Sequence, residues 1–233
     1  MILTESNKFE QCPAGSYLAR CTQLVDLGTQ TSVFQGKENK ARKVMIGFEI
    51  LDSEAVKQDG SHFVLSKRFT QSLNEKSALR PALVGWRGRE FTPDELKQFN
   101  LKNILGQNAL VNIVLVQKDD KTFCNIQSIT RQPKNMQATV KTTEPLTFLD
   151  MTDDRPDWTS LDKFGAKLID QICASPEFLS HPHKPSWFTS GTPSQQAPSR
   201  QTAQQPPSRA QVQHATQPPD DIPLEDFDSD IPF

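Results

Sequence analysis

A segment almost free of apolar residues divides this chain of 233 residues. Between residues 189 and 219 the sequence is dominated by Ser, Thr, Gln, Ala and Pro, as in TPSQQAPSRQTAQQPPSRAQ. Such a composition cannot bury enough apolar surface to offset the entropy that is lost on ordering. We therefore predict a disordered linker at 189–219, with a folded body before it and a separate acidic tip at 220–233 after it.

The body predicts a mainly β fold, because apolar side chains recur at every second residue in several segments. Five segments have this pattern: GSYLARCTQLVDL, KVMIGFEILD, HFVLSKRFTQSL, ALVNIVLVQ and TFCNIQSIT. Helical signals lie between the third and the fourth. In FTPDEL, Thr92 is expected to cap a helix that begins at Pro93, with Glu95 completing a capping box. Upstream, NEKSALRPALVGW predicts another helix with a break near Pro81.

Five antiparallel strands with a helical insert between the third and the fourth are typical of an OB-fold barrel, which binds single strands or oligosaccharides across its face. The same number of strands also fits an SH3-like barrel or a small sandwich. We predict an OB-fold domain at 1–140 and a helical extension at 141–188 that packs on the barrel. The apolar face of the extension helix is expected to contain Leu161, Phe164, Leu168, Ile169 and Ile172.

Charge is distributed unevenly along the chain. Residues 1–141 contain 20 Lys and Arg against 14 Asp and Glu, whereas residues 220–233 contain six acidic residues and no basic one. A basic body favours a polyanionic partner, and an acidic tip favours a different one.

Three clusters in the body combine cations with aromatic rings or lie beside them: KENKARK in a predicted loop before the second strand, SKRFT in the third strand, and GWRGREF after the first helix. Sequence-independent binding of a single strand uses both kinds of group, because cations neutralise phosphates and rings stack on unpaired bases. Each ring could equally be part of the core, and KENKARK could be a solvated loop. The candidate DNA-binding residues are Tyr17, Arg20, Lys40, Arg42, Lys43, Lys67, Arg68, Phe69, Trp86, Arg87 and Arg89.

The sequence contains none of the familiar catalytic or metal-binding motifs, such as G-x-S-x-G, a P-loop or H-E-x-x-H, so we predict neither an enzyme nor a cofactor. The carboxylates of Asp153, Asp154 and Asp157 are expected either to cap helices or to keep the surface soluble. His181 and His183 are expected to lie in a solvated loop. The four cysteines lack zinc-site spacing and predict reduced, structural thiols.

Neither a membrane span nor a secretory signal is expected from the sequence. No run of eighteen apolar residues occurs, and the segment MILTESNKFEQ lacks a basic start, an apolar middle and a small-residue exit. These features predict a cytoplasmic protein without membrane contact.

The acidic tip, DDIPLEDFDSDIPF, contains the imperfect repeat DDIPL and SDIPF. Proline favours an extended backbone that displays the Phe233 ring, and a carboxylate beside the ring could pair with a cation in a partner's pocket. The upstream aspartates would steer the tip to a basic rim. The segment DFDSDIPF resembles the terminal peptide of bacterial single-stranded DNA-binding proteins, in which a run of aspartates precedes Ile-Pro-Phe.

This resemblance implies two functions in one chain. In that family an OB domain binds the strand, a Gln/Pro/Gly-rich linker follows, and the tip recruits replication, recombination and repair proteins through its final Phe. The resemblance assigns partner binding to Asp226, Phe227, Asp228, Asp230, Ile231, Pro232 and Phe233. The body, with its longer insert and segments such as DLGTQ and WRGREFT, is more similar to divergent members from phages and mobile elements. The resemblance allows a homo-oligomer, but it does not imply the tetramer of the housekeeping proteins.

Three alternatives remain open from the sequence. A host-mimicking adaptor would use the tip to bind proteins without binding nucleic acid. A recombination protein would in addition anneal complementary strands. The tip could also occupy the DNA groove of its own body until a strand displaces it.

Overall fold

A computed structural model of the chain describes residues 10–34, 36–118, 121–136, 138–185 and 187–188. The predictions for the linker and for the acidic tip therefore lie outside the described residues. The described residues up to Lys184 belong to one compact unit.

The unit is built on a six-stranded sheet. Its strands are β1 (Gly15–Phe34), β2 (Lys37–Ile50), β3 (Val64–Thr70), β4 (Asn108–Lys118), β5 (Lys121–Thr130) and β6 (Thr147–Leu149). The first five pair in the order β3-β2-β1-β4-β5, and every pairing along that path is antiparallel. The short strand β6 pairs in parallel with β1 beside it. The mainly β prediction is confirmed.

The sheet is not a closed barrel, because no backbone ladder joins β3 to β5 among the described strands. The two edge strands nevertheless approach each other. Nζ of Lys67 in β3 donates to the carbonyl oxygens of Ile126 (2.9 Å) and Gln127 (3.1 Å) in β5. A lysine side chain thus bridges the gap that backbone hydrogen bonds leave open.

Strands β1 and β2 extend well beyond the segments that apolar alternation predicts. Their ladder continues from Thr29 opposite Arg42 to Phe34 opposite Lys37. The prediction that KENKARK is a loop is therefore wrong, since it forms the first half of β2. A two-stranded ribbon with both faces in solvent needs no apolar alternation, which is why the pattern does not reveal it. We call residues 29–34 and 37–43 the arm.

The helical insert lies between β3 and β4, where the sequence predicts it. It consists of α1 (Leu79–Arg87), α2 (Pro93–Gln98) and a 3-10 helix (Leu101–Ile104). The capping box of α2 is confirmed, because the Thr92 and Glu95 side chains bond each other's backbone N–H. Pro81 does not break α1, contrary to prediction. It lies in the first turn, where a missing N–H removes no helical hydrogen bond.

The extension forms three short helices instead of the single helix that the sequence predicts. A 3-10 helix (Trp158–Lys163) is followed by α3 (Ala166–Cys173) and α4 (Pro176–Ser180). Gly165 adopts an extended conformation between the first two, and Ser175 caps α4 at Pro176. Both α3 and α4 pack on β1.

The sheet has apolar layers on both faces. One is the main core, which includes Phe48, Leu83 and Ile113. Val25 and its cross-strand partner Met45 are also buried but do not belong to that core. Buried residues of the extension, such as Leu161, Ile172 and Phe178, provide apolar cover outside the main core. None of the described helices is long and apolar enough to cross a membrane.

Candidate nucleic-acid interface

The three aromatic rings among the candidates lie in the hydrophobic core. Tyr17, Phe69 and Trp86 are only 8%, 3% and 6% exposed. The indole of Trp86 packs 5.3 Å from the Phe48 ring and donates from Nε1 to the carbonyl oxygen of Asn108 (2.7 Å). With so little surface exposed, these three rings are poorly placed to stack on DNA bases, although Trp86 also lines a cavity between α1 and β4.

Both cations of the GWRGREF cluster are paired within the protein, with one shared carboxylate. Arg89 bonds both carboxylate oxygens of Glu95, at 2.9 and 2.6 Å, and Arg87 Nη2 bonds the same carboxylate. These bonds, with that from the Thr92 backbone, lower the pKa of Glu95 to about 2. The Arg87 guanidinium also lies over the Phe91 ring, 4.2 Å from its centroid. The cluster thus stabilises the beginning of α2, and both of its guanidinium groups are engaged by one carboxylate.

Arg42, at the base of the arm, is held by Asp26. The Asp26 carboxylate accepts from Arg42 Nε (3.3 Å) and Nη2, and also from the backbone N–H groups of Gly28 (2.9 Å) and Met151 (3.3 Å). The hydrogen bond to Asp26 raises the pKa of Arg42. Arg42 is therefore held by Asp26 of β1, which also bonds Met151 of the extension, rather than presenting its charge.

Three further candidates are also engaged by the protein. Lys67 bridges to β5, as described above. Arg68 Nη1 donates to Oε1 of Gln171 in α3 (2.7 Å), and Arg20 Nε donates to the carbonyl oxygen of Gly106 (3.2 Å). These side chains position β3 and β1 against neighbouring elements.

The arm carries the cations that remain available. Lys40 is exposed and has only Glu38 as an ion-pair partner, at 3.3 Å, with both side chains more than half exposed. Lys37, which belongs to the same cluster, is exposed, and Lys43 is half-buried; neither forms an ion pair with a described residue. Side chains alternate along a strand, so Lys37 and Lys43 share one face and Lys40 lies on the other. The arm therefore presents positive charge on both faces.

The extension fixes the base of the arm. The Glu177 carboxylate of α4 accepts from the backbone N–H (2.8 Å) and the hydroxyl (2.6 Å) of Thr29. Burial opposes ionisation of Glu177, but the bonds from Thr29 outweigh it and lower its pKa. Sequence reasoning did not find this contact, because its partners are 148 residues apart. The sequence Ser-Pro-Glu is a local pattern that indicates the start of α4, the helix that carries Glu177.

A buried carboxylate holds the segment after β5 on the sheet. Glu49 is fully buried and accepts from the hydroxyls of Thr142 and Thr143, from the backbone N–H of Thr143 and Glu144, and bonds His62 Nδ1 at 2.6 Å. Burial alone would raise the pKa of Glu49, yet these bonds lower it to about 2. No local sequence pattern indicates this cluster, because Glu49 and Thr143 are 94 residues apart.

Phe123 of β5 is a ring that sequence reasoning did not select. It is half-buried and pairs across the ladder with Val116. Its neighbour Cys124 packs against the core, whereas Phe123 does not belong to it. The pattern offered a signal, since Phe123 shares its side of the strand with polar Asn125, whereas Cys124 lies on the other side. The ring lies next to the β4–β5 turn, close in sequence to exposed Lys121.

The remaining side-chain predictions have mixed outcomes. Asp157 caps a helix, as predicted, by accepting from the N–H of Thr159 (3.2 Å). His181 does not lie in a solvated loop: it is buried, 5.3 Å from the Trp158 ring, and its Nε2 bonds the carbonyl oxygen of Asp153. His183 is exposed.

All four cysteines are free thiols, as predicted. Burial raises the pKa of Cys12 and Cys21 to about 12 and that of Cys173 to about 11. These thiols therefore remain protonated at neutral pH.

Neither the protein-family models nor the curated proteins contain a match to this chain. The function must therefore be argued from the fold and from the surface described above.

Proposed function

We propose that the protein is a non-enzymatic single-stranded DNA-binding protein, with an OB-type sheet for the strand and the acidic tip for partner proteins. The observation that carries the proposal is the strand order β3-β2-β1-β4-β5 with α1 between β3 and β4. An OB fold is a five-stranded, partly open Greek-key barrel with this winding. The edges β3 and β5 lie side by side, as the winding requires, and Lys67 bridges them.

The arm occupies the position where OB folds use the loop between the first two strands to bind oligonucleotides. Lys37, Lys40 and Lys43 would contact phosphates there and release counterions from the strand. Such contacts carry no sequence information, so the binding would protect the strand without strong sequence preference.

In this proposal Phe123 stacks on a base, because the three predicted rings are in the core. The ring lies beside the turn between β4 and β5, which is the second loop that OB folds use. A half-buried ring is held by the sheet and still has surface for a base. Stacking of one base on such a ring contributes about 1–3 kcal/mol.

The acidic tip would recruit replication, recombination and repair proteins. Its resemblance to the terminal peptide of bacterial single-stranded DNA-binding proteins supports this assignment, as does its charge, six acidic residues within 220–233. A partner protein would bind the tip through a basic pocket that accepts the Phe233 ring and nearby carboxylates.

Fluorescence anisotropy with full-length protein and with a chain lacking residues 226–233 tests both parts. We expect a dT strand of about 16 nucleotides to bind tightly and to lose affinity steeply with salt, and duplex of equal length to bind far less well. The truncated chain should bind the strand at least as well but no longer capture host repair proteins. Equal affinity for strand and duplex would contradict the proposal.

A second candidate is the adaptor that uses its tip without binding nucleic acid. The burial of Tyr17, Phe69 and Trp86 favours it, because it removes the rings that a strand was expected to use. In the same assay an adaptor would capture proteins through the tip and show no strand binding. Annealing activity, if present, would appear as faster pairing of complementary strands when the protein is added.

A further inference from the structure

A cavity of about 510 Å³ opens between α1, the 3-10 helix that follows α2, and the beginning of β4. Its volume is in the range of small-molecule sites. It is distant from the arm, because Asn108 in its wall pairs with Arg20 of β1 and the arm begins nine residues further along that strand. At about 3.3 Å per residue, the two are separated by about 30 Å of strand at most.

The charge of the cavity favours an anion. Arg87 and Arg131 line it, and none of the described residues in its wall is acidic. Glu95 already neutralises Arg87, whereas the Arg131 side chain forms no ion pair or hydrogen bond with a described residue. An unpaired guanidinium beside a cavity is suited to bidentate contact with a phosphate.

Gly88 keeps Arg131 in place. Its φ of 69° ends α1, and a Cβ there would lie 3.0 Å from Cδ of Arg131. The Arg131 backbone N–H donates to the carbonyl oxygen of Gly85 (3.0 Å). The arginine therefore packs along the end of α1, in the wall of the cavity.

The rest of the wall is suited to a nucleobase. The side-chain amides of Asn103, Gln107 and Asn108 have no hydrogen-bond partner among the described residues, and the Phe99 ring is half-buried. Amide groups both donate and accept, which is how Asn and Gln read base edges, and a ring can contact the base.

We propose that this cavity binds one nucleotide, with its phosphate on Arg131 and its base against the amides and Phe99. The nucleotide is either free or the end of a strand. The site does not involve the arm lysines, so it goes beyond the strand binding proposed above.

Isothermal titration calorimetry of the full-length protein tests the site, with thymidine 5′-monophosphate as the probe. We expect one nucleotide to bind per chain. Thymidine and inorganic phosphate should each bind at least about tenfold more weakly than the nucleotide. Equal affinity for inorganic phosphate and the nucleotide, or no saturable binding, would overturn the proposal.

Arg131→Gln should weaken nucleotide binding about tenfold or more, whereas the exposed, charge-matched Lys167→Gln should leave it unchanged. Asn103→Ala, at an exposed position, should weaken binding of the nucleotide but not of phosphate. Unchanged nucleotide affinity in both site variants would overturn the assignment.

The source of the nucleotide is resolved by two dT strands, one with a 5′-phosphate and one with a 5′-hydroxyl. Tighter, Arg131-dependent binding of the phosphorylated strand identifies a strand end; equal binding of the two, with the mononucleotide still bound, identifies a free nucleotide. The variant K37Q/K40Q/K43Q should keep its affinity for the mononucleotide. Failure of strand binding at the arm would thus be distinguishable from failure of this site.

Discussion

The arm and the GWRGREF segment both concentrate cations in the sequence, four in the arm and two in GWRGREF, but use them differently in the fold. In GWRGREF, both arginines bond the Glu95 carboxylate and Arg87 also covers a ring. In the arm, Lys37 and Lys43 have no ion-pair partner among the described residues. The comparison teaches that a cation cluster indicates a polyanion site only if the fold leaves its charges unpaired.

The chemistry of the side chains explains part of this difference. Arginine presents a planar fork of donors that matches a carboxylate, and it loses little entropy for each bond, so folds often use it internally. Lysine is a strongly hydrated point charge on a flexible stem and commonly remains in water. Arg42 follows the same rule inside the arm, because it alone of these cations is bound by a buried carboxylate, Asp26.

The largest expected effect comes from removing the charge of the arm. K37Q/K40Q/K43Q should lower the affinity for a dT strand about 100-fold at low salt and reduce the slope of log K against log salt by about 2, since three phosphate contacts are lost. Anisotropy titrations at several salt concentrations measure both quantities.

The matched control is K57Q/K76Q/K134Q, which removes the same charge elsewhere on the body. It should change affinity by no more than about threefold. If the two triple variants lose affinity equally, net charge and not the arm binds the strand.

Asp26→Asn tests whether the base of the arm is held as the geometry indicates. The substitution leaves the half-buried Arg42 guanidinium without its carboxylate, so we expect the free energy of unfolding to fall by about 2 kcal/mol. Urea denaturation followed by circular dichroism measures it. The control Asp154→Asn, at an exposed position, should have an effect below about 0.5 kcal/mol; an equally small effect of Asp26→Asn would contradict the pairing.

Phe123→Ala is expected to lower strand affinity about tenfold, because one stacked base is lost. Leu115→Ala on the same hairpin is the control, since Leu115 is 47% exposed and apolar but has no ring. The control should retain the wild-type affinity. Equal losses in the two variants would show that the hairpin contributes apolar surface rather than stacking.

Glu95→Gln should have the smallest effect on the strand, within about twofold, because GWRGREF is assigned a structural role. Its effect on stability depends on pH. The folded pKa of Glu95, about 2, is below the ordinary value of 4.5, so its stabilisation is complete above pH 4.5 and is lost as the pH falls toward 2. Melting curves should therefore show a lower Tm for the variant at neutral pH and converge with the wild type near pH 2. A constant difference across that range would contradict the ion pairing.

The sequence predicted those parts of the fold that depend on local patterns. Alternation located the five main strands, and Thr92, Pro93 and Glu95 located the start of α2. Alternation in β3 also indicated that Phe69 is buried, because Phe69 shares its face with buried Leu65. The adjacent cations nevertheless suggested a binding role.

The candidate site was less predictable, because its determinants are pairs of residues distant in sequence. Glu49 meets Thr143 across 94 residues, and Glu177 meets Thr29 across 148. No local pattern indicates which carboxylate will neutralise which cation. The arm was missed for a different reason: a ribbon with solvent on both faces requires no apolar residues and leaves no alternation to detect.

Amide chemical shifts of the full-length protein, recorded by NMR as a dT strand is added, test the central claim most directly. The account predicts that the largest shifts occur at Lys37, Lys40, Lys43 and Phe123, and that Arg89, which lies outside the cavity wall, changes little. Shifts concentrated at Arg89, or no shifts with a saturating strand, would contradict it.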